Sequence, residues 1–588
     1  MSGTETLRTG RARAVLHGTV RMLSGQLFAR VLDLALYLVL ARRLGVSAFG
    51  AFTYAMSFTL LFNVATDLGL TTVFTREVAR TPQRTRELLR HALTIKAMLA
   101  PLTLALVLGI ALFVHTPPAT LALMAVLTVS MTLGSAAGVL DGLLRANDRP
   151  GLVGVALAAT SATTFAVVLL ALSWGMTPMW AAWAQLAGQL VHLLVAILAG
   201  RVLLRERVTP AADEAPAPSR MALLREALPL ALSWVFIALY FRIDAVMLHA
   251  MRDEHAVGLY GGIYRIFEAF AMLTVGFRSV LFPFMARAAD GPADALAVLC
   301  RKSLRLQWLF TVMVAVSFGF LGRPLLTWVL GPSYAEAAPG LAILVWALPG
   351  SFMADTLLHL LIAQRRQSLG TWAVGATALL NVALNLVLIP RASYLGASAA
   401  TVVSEATCFV LLFALFRRGV PRVGLARDAW RPLVAGLALA ATLAGVVPHL
   451  PAGVPGLFAG FAIAATCYAL VLALLGEFRG EPAVDANAVA DVLMSLSAVA
   501  EDRADLVAVD LNPLVVRDGR LVAVDALVEL VVNAEDREGL VLRARCLDRV
   551  LQWIGFVIPQ FRNGKDLVAY WNRLDRKSTR LNSSHGYI

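Results

Sequence analysis

Long runs of apolar residues, separated by short polar segments, fill the first 476 residues of the chain. A helix needs about 20 apolar residues to cross the hydrocarbon core of a bilayer, where it satisfies its own backbone hydrogen bonds. The pattern therefore predicts an all-α membrane protein with about fourteen transmembrane helices. The predicted spans are 22–41, 48–72, 92–114, 119–140, 151–174, 178–199, 227–248, 257–283, 306–323, 340–363, 370–390, 395–416, 432–447 and 456–475.

Basic residues alternate between the loops that connect these spans. The even-numbered loops carry 23 arginine and lysine residues, and the odd-numbered loops carry 4. Cytoplasmic loops are enriched in such residues, so we expect the even-numbered loops in the cytoplasm, together with the basic leader 1–21 and the end of the last span. A miscounted helix would invert the alternation beyond the error. The pattern therefore supports fourteen spans in a bacterial inner membrane, with both termini cytoplasmic.

Composition agrees with this assignment. Of the 588 residues, 59% are hydrophobic and only 15% are charged, whereas soluble domains carry about 25% charged residues. The net charge of +13 would be compatible with nucleic-acid binding, but the basic residues lie in short loops between apolar stretches, so we expect no nucleic-acid partner. The sequence contains no Walker loop, no HExxH or GxSxG motif and no CxxC pair. We therefore expect no enzyme activity and no cofactor.

A weak internal repeat divides the membrane region. AFGAFTYAMSF at 48–58 resembles AVGLYGGIY at 256–264, with an offset of 208 positions. Both segments begin on the same side of the predicted membrane, as expected for parallel repeats related by an axis along the membrane normal. We predict a first six-helix bundle at 22–220, a second at 221–417 and two extra helices at 431–476.

Ionisable residues within the predicted spans are candidates for function, because a charge in the bilayer centre is unfavourable by about 3 kcal/mol on insertion scales. The arginine guanidinium group binds phosphate oxygens in a bidentate manner, so arginines from both halves could hold an anionic headgroup. The alternative is that pairs at i,i+3 merely neutralise each other. The candidates for the headgroup are Arg30, Arg242 and Arg265, and their candidate charge partners are Asp33, Asp244 and Glu268.

A second set of ionisable residues is a candidate for ion or proton coupling. Asp355 and His359 lie at i,i+4 on the tenth predicted span, and Glu405 lies on the twelfth. The alternative for Asp355 and His359 is a structural hydrogen bond near a helix end.

Five segments of the membrane region carry a resemblance to known proteins. They are ARRLGVSAFGAFTYAMSF at 41–58, DLGLTTVFTREVAR at 67–80, LYFRIDAVMLHAMRDEHAVGLYGGIYRIFEAF at 239–270, LGPSYAEAAPGLAIL at 330–344 and NVALNLVLIPRASYLGASAATVVSE at 381–405. Through these segments the membrane region resembles the polysaccharide biosynthesis (O-antigen and exopolysaccharide) flippases of the multidrug/oligosaccharidyl-lipid/polysaccharide exporter superfamily. The resemblance implies two six-helix bundles around a central cavity, two extra C-terminal helices and alternating access. It also implies a polyprenyl-diphosphate-linked oligosaccharide as substrate, with glycosyltransferases and a polysaccharide polymerase as functional partners.

The tail beyond residue 480 has a different character, with a helix predicted at 486–500 and strands at 506–510 and 521–525. Residues 481–535 resemble the end of an ATP-grasp domain of NDP-forming acyl-CoA synthetases, in which Asn512 and Asp525 would match magnesium ligands. The glycine-rich loop and nucleotide-contacting lysine of that domain are missing, so these ligands would be vestigial. Within 536–588, one part resembles the end of a periplasmic oligopeptide-binding protein, and RKSTRLNSSHGYI resembles translated sequencing-adapter sequence. We interpret the tail as a chimeric addition without native function.

Three other functions compete with an oligosaccharide-lipid flippase. A drug/cation antiporter of the same superfamily would have twelve helices and a dominant cavity carboxylate. A lipid II flippase would have a closely similar sequence pattern. A membrane-tethered acyl-CoA ligase would need the missing nucleotide loop of the tail.

Overall fold

The computed structural model describes residues 2–207, 218–289, 293–420, 426–451 and 453–477, and four short strands between 506 and 530. Contacts between residues divide the chain into two units, Met1–Val471 and Leu472–Ile588. The first unit is helical throughout its described secondary structure, which confirms the predicted all-α membrane fold.

Seven helices cover the first half of the membrane region. They are α1 (Ser2–Leu44), α2 (Val46–Asp67), α3 (Leu70–Arg80), α4 (Thr85–Phe113), α5 (Pro118–Ala146), α6 (Pro150–Ala171) and α7 (Pro178–Arg207). Helix α1 includes the predicted basic leader and is much longer than a bilayer requires. Proline stands at the first helical position of α5 and α6, where its missing N–H has no helical partner to lose.

Nine helices follow in the second half and the C-terminal extension. They are α8 (Arg220–Met251), α9 (Glu254–Ala271), α10 (Leu273–Ala289), α11 (Ala293–Val329), α12 (Ala338–Leu344), α13 (Ala347–Ala363), α14 (Gln367–Arg417), α15 (Ala426–Val446) and α16 (Val454–Leu474). The side chains of Ser219 and Asp253 cap α8 and α9 by accepting hydrogen bonds from the backbone amides of Ala222 and Ala256.

Twelve helices of the described residues are long and apolar enough to cross a membrane, or thirteen if one bent pair counts as a single span. The bent pair joins Pro332–Leu344 to Ala347–Ala363 at 47° and corresponds to the tenth predicted span. The count of fourteen crossings stays a prediction. It depends on α14, because this one helix covers both the eleventh and the twelfth predicted span.

Helix α14 reverses its direction at Ser393. A straight helix of its 51 residues would be about 76 Å long, more than twice the hydrocarbon thickness. The backbone of Ser393 is non-helical, with φ 52° and ψ −132°. A hydrogen bond connects the parts of α14 before and after Ser393: the side-chain amide of Asn381 donates to the Oγ of Ser404 at 3.2 Å, although 23 residues separate them. The two parts of α14 therefore lie side by side as a hairpin.

The second predicted span is also interrupted. Helix α2 ends at Asp67, and α3 begins at Leu70, because Leu68 (φ 49°) and Gly69 (φ 76°) both adopt left-handed backbone conformations. The sequence pattern treated 48–72 as continuous, since its apolar character does not change at the break. Gly69 allows the turn without a Cβ penalty, whereas Leu68 adopts it against its own preference.

Helix packing brings the two halves together at α2, α8 and α9. Within the first half, α1 packs on α6, and α7 packs on α5 and α6. Within the second half, α13 and α14 pack together and α14 packs on α8. Helix α2 packs against both α8 and α9, so a hydrophobic core runs across the boundary between the halves, with Phe49, Phe52, Ile263 and Phe352 fully buried in it.

The second unit contains two small antiparallel sheets. Strand β1 (Leu506–Leu511) pairs with β4 (Ala526–Leu530), and β2 (Leu514–Arg517) pairs with β3 (Arg520–Ala523). In the chain, the β2–β3 hairpin therefore lies between β1 and β4, which pair with each other. The predicted helix at 486–500 lies outside the described residues.

Candidate substrate site

Two of the three predicted headgroup arginines meet at one carboxylate. The Nη1 of Arg265 lies 2.6 Å from the Oε2 of Glu268, and the Nη2 of Arg242 lies 3.2 Å from its Oε1. The three side chains are 13%, 22% and 25% exposed, so they are neither sealed in the core nor free on the surface. Helices α8 and α9 position them, and one negative charge is shared between two positive charges.

The first half of the chain contributes to the same place. The guanidinium group of Arg265 lies over the ring of Tyr37 on α1, with 3.6 Å between Cζ and the ring centroid. One turn before Tyr37, the carboxylate of Asp33 accepts a hydrogen bond from Ser161 of α6 at 2.9 Å. Arg30 and Arg265 both act electrostatically on this carboxylate. The site is therefore built from α1, α8 and α9.

The alternative of simple intrahelical pairs holds for one predicted pair only. Arg265 and Glu268 form the expected i,i+3 ion pair, but Glu268 is shared with a neighbouring helix. Among the described residues, no ion pair within 4 Å joins Arg30 to Asp33, because Asp33 is held by Ser161 and Arg30 remains exposed.

Asp244, a predicted cavity charge partner, forms no ion pair within 4 Å with Arg242, and both residues are described by the structure. Residues two apart on a helix point in different directions, so the arginine reaches Glu268 while Asp244 is buried at 3% exposure. Its Oδ2 accepts hydrogen bonds from Tyr260 at 2.6 Å and from Thr401 at 3.3 Å. Its Oδ1 has no hydrogen-bond partner.

Several further oxygen atoms lie near Asp244. Since Asn381 is bonded to Ser404, the antiparallel arms of α14 place Asn385, one turn beyond Asn381, level with the region of Thr401. Asn385 is fully buried, donates to Asn381 at 2.9 Å, and has an unpartnered Oδ1. Carboxylate, amide and hydroxyl oxygens are the ligands of hard cations. Within the described residues no group of three or more His, Cys, Asp or Glu side chains could hold a metal ion.

Asp355 and His359 are connected to an arginine that the sequence analysis did not single out. The Nδ1 of His359 donates to the backbone carbonyl of Asp355 at 2.7 Å, in keeping with the alternative of a structural hydrogen bond. The Nη1 of Arg278 donates to the Oδ1 of Asp355 at 3.4 Å. Arg278 falls within the eighth predicted span, so the rule for intramembrane charges would have found it.

Glu405 is buried at 5% exposure on the second arm of α14. Its carboxylate is hydrogen-bonded to the side chains of Tyr240 and Ser351, and Asp244 and Asp355 act on it electrostatically. The predicted coupling residues Asp355 and Glu405 therefore belong to one acidic region in the second half, together with Asp244.

An apolar cavity of about 460 Å³ adjoins the arginine site. Its wall includes Leu34 and Leu38, which flank Tyr37 on α1, and Ile266 and Phe270, which flank Glu268 on α9. Helices α11 and α16 close it with Phe318 and Phe461, among other apolar residues. Charged side chains and an apolar cavity thus lie on the same stretches of α1 and α9.

A buried lysine in the first half was also missed by the sequence analysis. Lys96 on α4 forms an ion pair with Asp67 at the end of α2 and donates to the Oγ of Ser135 at 2.5 Å. Its side chain is only 4% exposed. The pair lies at the α2–α3 break, where the hydroxyl group of Thr71 also bonds to Asp67.

The possible magnesium ligands of the tail, Asn512 and Asp525, lie outside the described residues. Residues 467–530 match the profile of the ATP-grasp domain, which confirms the resemblance of the tail to such a domain. The match begins within α16, before the predicted boundary at residue 481. A stretch of 54 residues is 54% identical to a probable peptide-binding protein, YejA, of Agrobacterium fabrum. Another comparison gives 47% identity over 53 residues with an uncharacterized protein, y4wM, of Sinorhizobium fredii. The chain covers only 9% and 8% of the length of these two relatives.

Solved structures resemble the membrane unit over most of its length. A lipid II flippase, MurJ, in an inward closed conformation has a TM-score of 0.64 at 12% identity and covers 78% of this chain and 99% of its own. An inward-facing multidrug resistance MATE family transporter of the MOP superfamily has a TM-score of 0.57 at 14% identity. It covers 69% of this chain and 98% of its own. These likenesses establish the fold.

The sequence profile of polysaccharide biosynthesis proteins matches residues 15–289, which contain the first half, Arg242, Arg265 and Glu268. Together with the fold of its helices, this match agrees with the resemblance carried by the sequence motifs. The membrane unit is therefore similar to polysaccharide biosynthesis proteins over residues 15–289, just under half of the chain.

Proposed function

We propose that the membrane unit translocates a polyprenyl-diphosphate-linked oligosaccharide across the inner membrane by alternating access. The observation that carries this proposal is the meeting of Arg242 and Arg265 at Glu268, against Tyr37 of the first half and beside an apolar cavity. Such a site offers cationic donors and an apolar surface at once, which matches a substrate with a charged diphosphate and a long hydrocarbon chain.

Charge favours an anionic substrate. A diphosphate that crosses about 30 Å of hydrocarbon without compensation would lose tens of kcal/mol of solvation. Arg242 and Arg265 share one carboxylate, so this group of three side chains keeps a net positive charge. Arginine remains protonated in such surroundings and presents parallel donors to phosphate oxygens. We therefore assign Arg242 and Arg265 to the headgroup, with Arg30 as a further positive charge near Asp33.

The hydrocarbon chain would lie in the apolar cavity. Burial of a methylene group contributes about 0.8 kcal/mol relative to water. In a membrane the gain is smaller, so the cavity would orient the chain more than it would attract it. Because Leu34, Leu38, Ile266 and Phe270 flank the polar residues, a chain in the cavity would leave its diphosphate at the arginines.

Coupling to an ion gradient would use the acidic region of the second half. Asp355, His359 and Glu405 stay candidates, and the unpartnered carboxylate oxygen makes Asp244 the candidate that the structure favours most. A monovalent cation or a proton at this oxygen would neutralise the buried charge. Tyr260 connects Asp244 to α9, which also carries Arg265, so occupancy of Asp244 could influence the headgroup site.

The rival functions predict different substrates. A drug/cation antiporter should bind a cation where this site presents two arginines. A lipid II flippase would share the diphosphate and the polyprenyl chain, so only the sugar separates it from our proposal. An acyl-CoA ligase would rest on the ATP-grasp match at 467–530, and we expect it to lack the nucleotide loop, which the sequence does not contain.

The experiment is a translocation assay with the purified full chain in proteoliposomes. The vesicles contain undecaprenyl diphosphate linked to a short oligosaccharide with a radiolabelled terminal sugar, and an impermeant glycosidase outside reports which leaflet holds the sugar. We expect a time-dependent change in the accessible fraction with the wild-type chain and none with Arg242→Ala. Parallel vesicles contain lipid II or a fluorescent organic cation.

Faster translocation of lipid II, or uptake of the cation without movement of the oligosaccharide lipid, would overturn the proposal in favour of the respective rival. Met221→Ala serves as a matched control, because it lies on the same helix as Arg242, is exposed, and is far from the site in sequence. It should translocate the lipid like the wild type.

A further inference from the structure

The two glycines that correspond in the internal repeat contact each other's helices reciprocally. A Cβ atom built on Gly50 of α2 would overlap the carbonyl oxygen of Glu254 on α9, and one built on Gly258 of α9 would overlap the carbonyl oxygen of Val46 on α2. The offset of 208 positions converts Gly50 into Gly258 and Val46 into Glu254. The repeat therefore converts the contact of Gly50 with Glu254 into the contact of Gly258 with Val46, as a two-fold axis between the helices would.

The next turn of each helix carries the same relationship. Thr53 and Gly261 are equivalent under the offset, and they contact each other, since a Cβ on Gly261 would lie 3.4 Å from the Cβ of Thr53. Contact between equivalent positions, together with the Gly50 and Gly258 contacts one turn earlier, requires α2 and α9 to run parallel. The repeat axis passes between these two helices.

One further turn along the same seam lie Ser57 and Arg265, which are again equivalent. The small side chain of Ser57 is buried at 2% exposure, and its counterpart is the arginine that binds Glu268 and lies over Tyr37. The helices thus touch backbone to backbone at their first turns and reach the candidate headgroup site two turns later. In the predicted topology, the touching end is periplasmic.

Aromatic and polar contacts reinforce the closure at this end. The ring of Tyr54 on α2 stacks on the imidazole of His249 on α8, with 3.5 Å between centroids and 5° between the planes. Arg42 at the end of α1 donates a hydrogen bond to the carbonyl oxygen of Trp328 on α11 at 2.9 Å. Each contact joins the first half of the chain to the second.

We propose that the reciprocal contact of Gly50 and Gly258 is the periplasmic gate of the transporter. The glycines let the backbones of α2 and α9 touch and close the path from Arg265 to the periplasm, and the helices part here when the headgroup leaves. The proposal rests on the proposed function for the identity of the cargo. The gate itself is a property of the two helices and can be tested without substrate.

A disulfide bond provides the first test. In a background without the native cysteines, Thr53→Cys/Gly261→Cys should cross-link on oxidation, because the Cβ separation is close to that of a disulfide. The cross-linked protein should translocate the oligosaccharide lipid at about a tenth of the reduced rate or less, and reductant should restore the rate. The control restores Cys467 alone in the same background and adds Thr442→Cys; the Oγ1 of Thr442 and the Sγ of Cys467 lie 3.3 Å apart between α15 and α16, and this pair does not join the halves. Failure to cross-link, or an unchanged rate after cross-linking, would overturn the gate.

Thiol labelling provides a second test that needs no substrate. Ser57→Cys should resist an impermeant maleimide added from the periplasmic side in the otherwise wild-type chain. Adding Gly258→Ala should raise its labelling rate about tenfold or more, because the new methyl group holds the helices apart. Gly109→Ala, whose Cβ would meet nothing within 4 Å, should leave the labelling unchanged. Equal labelling rates of Ser57→Cys in the Gly258→Ala and Gly109→Ala variants would refute the gate. The expected difference between these rates, together with no translocation of the oligosaccharide lipid by the wild-type chain, would refute only the identity of the cargo.

Discussion

Arg265 lies over the ring of Tyr37, with 3.6 Å from the guanidinium carbon to the ring centroid, and this contact joins helix α9 of the second half to α1 of the first. The guanidinium group also binds Glu268 at 2.6 Å, so its position is set by both halves. A relative movement of the halves must change one of these two contacts. The headgroup site is therefore sensitive to the conformational change that alternating access requires.

The first prediction concerns Tyr37. A cation–π contact contributes about 0.5–2 kcal/mol, and only the ring face is needed for it. We expect Tyr37→Phe to translocate the oligosaccharide lipid at a rate near the wild type, and Tyr37→Leu to be roughly 3- to 30-fold slower. The measurement is the glycosidase-accessibility assay, with the amount of inserted protein determined in parallel. Equal rates for Phe and Leu variants would mean that the ring face has no part in the site.

The second prediction separates a headgroup role of Arg265 from a mere ion pair. Arg265→Ala leaves Glu268 paired with Arg242, so the variant should insert normally and lose translocation. Arg265→Lys should rescue the rate only partly, because lysine lacks the parallel donors. If Arg265 served only to neutralise Glu268, then Arg265→Ala/Glu268→Ala would translocate like the wild type. That result would remove Arg265 from the headgroup site.

Much of this site could be anticipated from the sequence, because charged residues stand out in apolar helices. Arg242, Arg265 and Glu268 were identified in this way, and the structure brings them together. The role of Tyr37 could not be anticipated, since an aromatic residue in an apolar span carries no signal until its neighbour is known. Arg242 and Asp244 lie two residues apart on α8 and point in different directions, so each contacts a partner on another helix, which the sequence alone could not identify.

The fold shows a similar division. Apolar windows located the helices, whereas backbone reversals inside apolar sequence were harder to locate. The turn at Ser393 was placed correctly between the eleventh and twelfth spans, because RAS interrupts the apolar run there. The break at Leu68–Gly69 was missed because the segment DLGL at 67–70 lies inside the span 48–72, which was predicted as one continuous helix. The repeat of Gly50 and Gly258 was visible in the sequence, but the contact between them depends on the arrangement of the two halves.

The third prediction concerns topology and the count of fourteen crossings. The loop charges place residues 115, 175 and 450 in the periplasm and residues 85, 205 and 365 in the cytoplasm. Since α14 reverses at Ser393, a reporter inserted there should be periplasmic, while reporters at 365 and 418 should both be cytoplasmic. Paired alkaline phosphatase and green fluorescent protein fusions make the measurement. A cytoplasmic signal at 393 would show that the hairpin does not cross the membrane and that the count is wrong.

The fourth prediction concerns the tail. The ATP-grasp match ends at residue 530, and the sequence of the tail lacks the glycine-rich loop and the nucleotide-contacting lysine, so we expect no complete nucleotide site in it. A chain truncated after Gly480 should insert and translocate the lipid at the wild-type rate. ATP with magnesium should not change the thermal unfolding temperature of the full chain. Either a loss of translocation in the truncated chain or a nucleotide-dependent stabilisation of the full chain would return the tail to consideration as a functional part.

The fifth prediction concerns ion coupling at Asp244. This carboxylate is buried, its Oδ1 has no partner, and the unpartnered Oδ1 of Asn385 lies at the same level of the α14 hairpin. A cation bound there would gain a carboxylate and several neutral oxygens, and it would remove the cost of an isolated buried charge. We expect translocation by the wild-type chain to depend on sodium or on the proton gradient, and Asp244→Asn to lose this dependence. The amide keeps an acceptor for Tyr260, so the variant should still insert.

A matched pair of threonine variants tests the same site without changing its charge. Thr401 donates to Asp244, whereas Thr407, on the same arm of α14, is half-buried and donates to the carbonyl of Val403. Thr401→Val should therefore raise the concentration of the coupling ion needed for half-maximal translocation, by roughly tenfold for the loss of about 1–1.5 kcal/mol. Thr407→Val should leave it unchanged. Rates measured across sodium concentrations at constant ionic strength, and separately across imposed pH gradients, identify the ion. If both threonine variants behave alike and Asp244→Asn keeps the ion dependence of the wild type, coupling must reside elsewhere, with the buried Glu405 and the half-buried Asp355 as the remaining carboxylates of the region.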